Sequence, residues 1–483
     1  MSGTSTAGTA GATMGGSSGA AGNAAVAGAG GSAGASGGGG SGGTGPDVCP
    51  TLPTAPLAAS SITTFNDDGG WCWYQDERAV VDTKNSKFVI GSVAFNGGAN
   101  GDIVAVVSDF KGTDKKKFTL ATNLSPDDHN APAFNVRPDG KISAMWAGHR
   151  EDCNSYYSVF DGSAWAGTKS YNWAPKGCPW DGDSQKITYS NLWYLDGKLY
   201  SAVRSVNTSP NLLASPDDGG SFDYYGRITA TPTMGYVAGY YRYWGNNTDR
   251  LDFVATEAHP RDADTSLWHG YVKDGKVYDS KGTVVDDNVG DGSAQNIDKF
   301  TKVFASQTTI GGVKLEHLWN HDIARYADGT IAVLGQGRVS GTGSDDPDKR
   351  MIYSRFDGTA WKSTYLVKAG KKLYPDEQDY TGLSALHPDN PHIIFVSSTF
   401  DPRTDMAVPS GKHEIFMGVT CDDGATFNWT PLTEGSTVDN LRPHVPKWDS
   451  THTLLLWMKG TYNTAQKMTM TIVGTTALGA APP

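Results

Sequence analysis

SPDDGGSF (Ser215–Phe222) and TCDDGATF (Thr420–Phe427) are two copies of one pattern, far apart in the chain. Looser copies, with the same turn and a closing tryptophan, occur as FDGSAW (Phe160–Trp165) and FDGTAW (Phe356–Trp361). Each copy places Asp and Gly between strand-like runs, where Gly accepts a positive φ and Asp can hydrogen-bond the backbone of its own turn. Repetition at distant places predicts a fold built from recurring β units, and it disfavours the alternative of paired β-sandwiches.

Asp-Gly pairs between apolar runs mark further turns. They occur at Asp139-Gly140, Asp196-Gly197, Asp274-Gly275 and Asp328-Gly329. Such a pair is a strong signal for a β-hairpin because the two-residue turn needs positive φ. The chain is also rich in Gly, Asn, Asp, Thr and aromatic residues, a composition typical of short strands joined by tight turns. We predict an all-β propeller of about six to eight four-stranded blades, with its functional residues in loops.

The first part of the chain has a different composition. Residues 1–50 are mostly Gly, Ala, Ser and Thr, which offer too little apolar surface to offset the entropy of ordering. We predict a disordered, flexible tether there and a propeller over residues 51–480. No run approaches the roughly 20 apolar residues of a membrane-spanning helix, and no basic and apolar export signal follows Met1. We expect a trimmed start and a secreted protein, or one tethered at the outer cell surface. A linker to a removed domain is the alternative.

Charge and cysteine content narrow the possible partners. The formal net charge is −11, which argues against nucleic acid, and an acidic polysaccharide would need a local basic cluster. The five cysteines lack CxxC spacing, and a Cys153–Cys178 disulfide is compatible with an oxidising compartment. The odd number leaves at least one thiol without a partner inside the domain. We expect a monomer.

Two histidines, a tyrosine and an arginine flank consecutive predicted hairpins. His129 precedes the turn at Asp139-Gly140 and His149 follows it, so both imidazoles could meet at one end of a blade. Tyr189 and Arg204 flank the turn at Asp196-Gly197 in the same way. Each residue alone also has a structural interpretation, as a residue that satisfies a turn, packs or forms an ion pair. The four together indicate a functional site.

Six motifs resemble one known family of propellers, and the likeness runs in order along the chain from about Gly70 to Pro446. They are GWCWYQDERAV (Gly70–Val80), DDHNAPA (Asp127–Ala133), RPDG (Arg137–Gly140), TYSN (Thr188–Asn191), HPR (His259–Arg261) and NLRP (Asn440–Pro443). The family is that of the BNR-repeat propellers, which includes ulvan lyases and rhamnose-glucuronate lyases. The repeated turns similarly resemble the structural Asp-box of sialidase-like propellers. The resemblance implies a seven-bladed propeller that cleaves an acidic polysaccharide.

The resemblance also implies roles for single residues. His129, His149, Tyr189 and Arg204 would be the catalytic residues, and Tyr240 and Asn130 would bind substrate. Around Tyr240, Gly239 and Arg242 replace the Pro and Lys of the family's pattern.

These residue types suit β-elimination at a uronic acid. Arg204 would neutralise the carboxylate and stabilise the charge that develops when the C5 proton leaves. His129 or Tyr189 would remove that proton, and the other, or Tyr189 in both roles, would protonate the leaving oxygen. His149 would orient the carboxylate or hold the reactive tautomer of His129. Ulvan, a rhamnose-capped glucuronate side chain and other uronic-acid polymers all fit.

Two other functions stay open. A sialidase-like or other glycoside hydrolase needs a pair of carboxylates, or an Arg cluster with a Tyr nucleophile. A non-catalytic glycan-binding propeller would not need His129, Tyr189 and Arg204 together.

We expect no organic cofactor, but a structural Ca²⁺ or Zn²⁺ remains an option. The acidic turn at 344–348 could hold Ca²⁺ or could be a solvated surface turn. His259, His269, His317, His321 and His413 lack zinc-site spacing, and we interpret them as satisfied polar or core residues.

Overall fold

The computed structural model describes residues 49–172, 186–230, 239–343 and 345–482. The described residues form seven main antiparallel sheets that follow one another along the chain, which confirms the predicted all-β, seven-bladed propeller. The predicted tether, residues 1–50, lies outside the described residues except for Cys49 and Pro50. No helix in the described part is long and apolar enough to cross a membrane.

The first three blades have four strands each, paired in sequence order. Strands β2 to β13 form them, after an N-terminal strand β1. Their bounds are β1 (Thr63–Asn66), β2 (Ala79–Asp82), β3 (Lys87–Val93), β4 (Ile103–Asp109), β5 (Lys115–Ala121), β6 (Ala133–Val136), β7 (Ile142–Trp146), β8 (Asn154–Phe160), β9 (Lys169–Asn172), β10 (Leu192–Leu195), β11 (Lys198–Ser205), β12 (Ser209–Ser215) and β13 (Asp223–Arg227).

Blades 4 and 5 have six and five strands. Blade 6 has four strands and carries a small inserted hairpin, β27–β28. The strands are β14 (Tyr241–Gly245), β15 (Arg250–Ala255), β16 (Leu267–Lys273), β17 (Lys276–Asp279), β18 (Val284–Asp286), β19 (Thr301–Phe304), β20 (Thr308–Ile310), β21 (Val313–Arg325), β22 (Ile331–Val339), β23 (Lys349–Phe356), β24 (Trp361–Lys368), β25 (Ser384–Leu386), β26 (Ile393–Ser398), β27 (Phe400–Asp401), β28 (Met406–Ala407), β29 (Glu414–Val419) and β30 (Asn428–Pro431). Blade 4 comprises β14–β19, blade 5 β20–β24, and blade 6 β25, β26, β29 and β30.

Blade 7 closes the ring with strands from both ends of the folded chain. Strands β31 (Asp439–His444), β32 (Leu455–Thr464) and β33 (Lys467–Thr475) come from the C-terminal part, and β1 completes the sheet by pairing antiparallel with β33. The helical segments are single 3₁₀ turns at Ala59–Ser61, Gly97–Ala99, Asp128–Asn130, Val206–Thr208, Val289–Asp291 and Ile297–Lys299.

Burial explains why many strands are continuously apolar rather than alternating. Strand β4 (IVAVVSD) is buried at every position except Asp109, because each blade packs both of its faces against neighbouring blades. β-branched residues such as those in β4 favour this extended conformation. The pattern therefore marks stacked sheets.

The predicted hairpins form where the Asp-Gly pairs indicated. All four pairs join neighbouring strands: β6–β7, β10–β11, β16–β17 and β21–β22. Asp196 and Gly197 have φ of 51° and 75°, which are the two positive values that a two-residue turn of this kind needs. The repeated segments form matching turns: Asp217 and Asp422 each accept hydrogen bonds from the backbone and hydroxyl of the residue four positions on.

The longest motif, GWCWYQDERAV, fills the propeller axis. Its backbone and side chains bond to residues of five blades: Asp128 and Phe134 before and in blade 2, Leu192 in blade 3, Arg242 in blade 4, Asn320 in blade 5 and Arg442 in blade 7. Trp71 and Tyr74 are almost completely buried there. The length of the motif therefore has a structural cause, since one segment must satisfy many strand ends at once.

The cysteines form one disulfide that the sequence did not predict. Cys49 and Cys421 form a disulfide that joins the start of the described chain to blade 6. Cys153 takes part in a disulfide, and its predicted partner, Cys178, lies outside the described residues. Cys72 is a free, buried thiol on the axial segment.

Candidate active site

The first pair of hairpin-flanking residues meets as predicted. His129 lies in the 3₁₀ turn Asp128–Asn130 that leads into blade 2, and His149 follows β7 of the same blade. Their rings are stacked, with centroids 4.1 Å apart and planes 13° from parallel. We call these two residues the imidazole pair.

Tyr189 and Arg204 join the imidazole pair from blade 3. Thr188 and Arg204 exchange two backbone hydrogen bonds of 2.9 Å, which places Tyr189 beside Arg204 across the β10–β11 hairpin. The Tyr189 ring centroid is 5.5 Å from that of His129, and the Arg204 guanidinium lies 4.9 Å from the Tyr189 ring. The four predicted residues therefore form one cluster, although their catalytic roles stay predictions.

Tyr240 lies on the other side of Arg204. The Arg204 guanidinium is 5.3 Å from the Tyr240 ring, and Tyr240 also packs against His259 at 5.0 Å. The hydroxyl of the neighbouring Tyr241 bonds to Thr229. Tyr189, Arg204 and Tyr240 line a small cavity, together with Tyr74, Asn191, Val203, Pro210, Gly239, Tyr241 and Tyr243.

Two other residues near these motifs have supporting positions. Asn130 is fully buried; its Oδ1 accepts a hydrogen bond from the His149 backbone, and its Nδ2 donates to the Ser125 carbonyl. Its predicted contact with substrate stays a prediction. Arg242 points to the axis, where it pairs with Asp76 and Asp322.

Neighbouring charged groups give the two histidines different pKa values. Burial opposes a charge on His129, but Asp127, Cys72 and Asp128 outweigh it and raise the pKa of His129 well above its usual value. Burial and the adjacent positive charge of His129 lower the pKa of His149 to about 4, against the opposing effect of Asp127. At neutral pH the imidazole pair therefore combines one charged and one neutral ring.

The tyrosines of the cluster keep their protons. Burial raises the pKa of Tyr189 well above its usual value, although Arg204 acts in the opposite direction. Burial raises the pKa of Tyr240 as well. The Tyr189 hydroxyl is buried and hydrogen-bonds no other protein group within the described part of the chain. It is a proton donor available to a ligand.

Beyond Tyr240, oppositely charged side chains pair with one another. Arg261 donates a hydrogen bond to Glu377, and its backbone N–H donates to Nδ1 of His259. Burial raises the pKa of Glu377 to about 7, partly offset by Arg261. Burial and Arg261 lower the pKa of His259 to about 3, so this ring is neutral.

Sequence reasoning missed several residues of this site. Asp127 and Asp128 stand inside the quoted DDHNAPA motif, but no role was assigned to them. Gln466 and Tyr462 come from the β32–β33 hairpin of blade 7 and bond to Asp127 and Asp128, respectively. An acidic pair next to a candidate catalytic histidine was a usable signal, whereas nothing in the local sequence around Gln466 indicates the contact.

Three sets of described side chains are close enough to hold an ion: Asp127, His129 and His149; Cys72, Asp128 and His129; and Asp76, Glu77 and His444. In the first set, both imidazole Nδ1 atoms bond to Asp127. In the acidic turn at 344–348, Asp346 pairs with Lys349 and Asp348 with Arg350.

Four histidines beyond this site each bond to a protein group through at least one ring nitrogen. His269 bonds to Ser280 and Asp252, His317 to the Pro260 carbonyl, His321 to Ser384 and His413 to Asp439. These contacts agree with the structural interpretation of His269 and His317, whereas Nε2 of His321 and Nε2 of His413 are buried without a partner among the described residues.

Comparisons with known proteins support the fold. Neither the models of known families nor the curated proteins gave a match to this chain. Among solved structures, a polysaccharide lyase described as "PL25-Ulvanlyase bound to -[GlcA(1-4)Rha3S]-" is 11% identical, with a TM-score of 0.57, over 85% of this chain and 94% of that one. The polysaccharide lyase Uly1 is 10% identical, with a TM-score of 0.50, over 86% and 97%. An α-L-arabinofuranosidase from Fusarium graminearum matches less well, with 14% identity over 71% and 91% and a TM-score of 0.39. At these identities the likeness establishes the fold alone.

Proposed function

We propose that this protein is a polysaccharide lyase that cleaves a uronic-acid-containing glycan by β-elimination. The observation that carries the proposal is the convergence of the imidazole pair, Tyr189 and Arg204 in one cluster, in which Tyr189 and Arg204 line a small cavity. A binding module needs aromatic and polar surfaces, but it has no need of a buried phenol and a charged imidazole side by side.

Arg204 is placed to make the C5 proton removable. The substrate carboxylate must be neutralised before negative charge can develop at C5, and a guanidinium stays charged at any working pH. The positive charge on His129 acts in the same direction. Such preorganised donors typically contribute about 3 kcal/mol each to stabilisation of the transition state.

Proton transfer is divided between the imidazole pair and Tyr189. A ring nitrogen of the imidazole pair takes the C5 proton, and the electrons of the C5–H bond form the C4–C5 double bond. The C4–O4 bond breaks with its electron pair on O4, which receives the Tyr189 proton. The raised pKa of Tyr189 keeps that proton in place until O4 becomes basic.

The substrate is a 4-linked uronate within an acidic glycan, such as ulvan or a rhamnose-glucuronate chain. The glucuronate-rhamnose ligand bound to the similar ulvan lyase supports this choice. We also propose that the protein works outside the cell, because the Cys49–Cys421 disulfide is stable in an oxidising compartment.

A panel of uronic-acid polysaccharides, including ulvan, tests the proposal. We expect a rise in absorbance near about 235 nm from the unsaturated product with at least one polymer. We expect His129→Ala and Arg204→Ala each to lower the rate of this rise in absorbance by a factor of about 10² or more. His452→Ala and Arg403→Ala, which alter residues paired with Asp449 and Asp401, are the matched controls and should leave it unchanged.

Product chemistry separates the alternatives. New reducing ends without the chromophore would instead identify a glycoside hydrolase, and binding without any cleavage would identify a lectin-like propeller. Full activity in both His129→Ala and Arg204→Ala would contradict the site, even if the unsaturated product forms.

A further inference from the structure

One carboxylate contacts both rings of the imidazole pair. Asp127 Oδ1 lies 2.6 Å from Nδ1 of His129, and Asp127 Oδ2 lies 3.0 Å from Nδ1 of His149. The Asp127 side chain is 7% exposed, so water competes little for its oxygens. A single side chain therefore fixes the orientation of two stacked imidazoles.

The contacts also determine where the protons sit. An ionised carboxylate only accepts hydrogen bonds, so both Nδ1 atoms must carry hydrogen. The other nitrogen, Nε2, is then the reactive position of each ring. Within the described part of the chain, neither Nε2 hydrogen-bonds another protein group, so both are available to a bound sugar.

Neighbouring groups then give the two rings different charges. Nδ1 of His129 also lies 2.8 Å from Asp128, whose carboxylate is held by Arg442 and Tyr462. Among the described residues, Asp127 is the only carboxylate that contacts His149, and the positive charges of His129 and Arg204 both lower the pKa of this ring. The lowered pKa of His149 and the raised pKa of His129 agree with this asymmetry.

Asp127 is itself held by other groups. Its Oδ1 accepts a hydrogen bond of 3.0 Å from the His129 backbone, and its Oδ2 accepts one of 2.6 Å from Nε2 of Gln466. Gln466 lies in the turn between β32 and β33, so closure of the ring at blade 7 supports the carboxylate from the far end of the chain.

We propose that Asp127 is a positioning residue of the lyase reaction, which holds both imidazoles with hydrogen on Nδ1 and presents both Nε2 atoms to the sugar. The inference rests on the proposed function. Asp127 does not touch the reacting atoms; it acts through His129 and His149. Its removal should affect the protonation of the pair more than the binding of substrate.

Asp127→Asn provides the sharpest test, because it keeps the size and replaces one of the two accepting oxygens with an NH₂ group, which only donates. The amide NH₂ cannot accept from an Nδ1–H, so one of the two imidazoles must change its tautomer or turn away. We expect kcat to fall by about 10²- to 10⁴-fold, a range typical of lost acid–base catalysis or a wrong tautomer, with a much smaller change in KM. We also expect an altered pH profile of kcat and a partial recovery in Asp127→Glu.

Nitrogen-15 NMR of the imidazoles provides a readout that does not need a substrate. In the wild-type protein, the signals of His129 and His149 should both show Nδ1–H, and in Asp127→Asn one of them should lose it. Asp252→Asn is the matched control: it removes the carboxylate beside His269, and it should leave kcat and the imidazole pair unchanged.

Two results would overturn the inference. One is an Asp127→Asn protein with kcat reduced by less than about tenfold and an unchanged pH profile. The other is a wild-type spectrum in which either imidazole lacks Nδ1–H. If the wild-type protein releases no unsaturated product from any polymer, the proposed function fails, and the NMR signals alone then decide whether Asp127 holds both rings.

Discussion

Two regions of this propeller combine imidazoles with carboxylates, but they differ in what they leave available. In the imidazole pair, Asp127 occupies Nδ1 of both rings, and both Nε2 atoms have no protein partner in the described part of the chain. In a second region, between blades 4 and 5, His269 lies 2.8 Å from Ser280 Oγ and 3.1 Å from Asp252 Oδ1. We call His269, Asp252 and Ser280 the blade cluster.

The blade cluster contains the residue types of a serine hydrolase, yet every group in it is satisfied. Asp252 can only accept, so Nε2–H of His269 donates to it, and Nδ1 accepts from the Ser280 hydroxyl. Trp361 Nε1 donates to Ser280 Oγ at 3.0 Å, and Arg250 donates two hydrogen bonds of 2.7 Å to Asp252. His269 is completely buried. The comparison teaches that residue types indicate a site only where a reactive atom is unoccupied and reachable.

The largest expected effect is a loss of catalytic activity when the imidazole pair is altered. His149→Ala removes a ring that bonds to Asp127 and presents a free Nε2, so we expect kcat to fall by about 10²-fold or more. Because His149 is partly exposed, we expect the melting temperature to change by no more than about 2 °C. Steady-state kinetics, followed by the unsaturated product, measure kcat, and a thermal melt measures the melting temperature. A large shift in melting temperature with little loss of kcat would mean that His149 has a structural role, like the residues of the blade cluster.

Asp252→Ala should show the opposite behaviour. The change leaves the largely buried Arg250 side chain, 13% exposed, without its carboxylate partner and removes the acceptor of the buried His269, so we expect the free energy of unfolding to fall by about 3 kcal/mol. The value of kcat should stay at the wild-type level. Chemical denaturation and the kinetic assay provide the two readings, and a loss of kcat in a stably folded variant would assign a function to the blade cluster.

The pH dependence of stability sharpens the comparison further. The pKa of His149 is about 4 in the folded protein, below the ordinary value of 6.5, because of burial and the charge on His129. The unfolded chain thus binds more protons between these values, and the free energy of unfolding falls as pH drops from 6.5 to 4, by at most about 1.4 kcal/mol per pH unit for this group.

His149→Gln should make that slope shallower without abolishing it. Burial lowers the pKa of His269 as well, and this ring keeps its own contribution of the same sign. Denaturation curves at a series of pH values test the expectation. A slope identical to that of the wild type would mean that His149 titrates normally in the folded protein.

Ser280→Ala should have the smallest effect. It deletes a hydroxyl that links Trp361 to His269 and leaves one buried donor without an acceptor, so we expect a loss of about 1 kcal/mol in the free energy of unfolding. Lyase activity should not change. A Ser280→Ala protein that loses activity at unchanged stability would contradict the structural interpretation of the blade cluster.

Local sequence was sufficient for the parts of the site that depend on turns. The hairpins at Asp139-Gly140 and Asp196-Gly197 were predicted from the Asp-Gly pairs alone. They bring His129 to His149 and Tyr189 to Arg204. The number of blades came from the family resemblance, since repeat spacing gave only a range. The partners of these residues from other blades, such as Gln466 and Tyr462, were not predictable because they are hundreds of positions away.

The sequence by itself determined the strands, the tight turns and the order of the hairpins, because each depends on the φ preferences and burial of neighbouring residues. Only the tertiary structure decided that the GWCWYQDERAV segment fills the axis and that β1 closes blade 7. It also decided that Asp127 holds two imidazoles, whereas Asp252 accepts hydrogen bonds from Arg250. The physical reason is that a hydrogen bond is set by distance in space, and the closed ring of blades brings together groups that no local pattern relates.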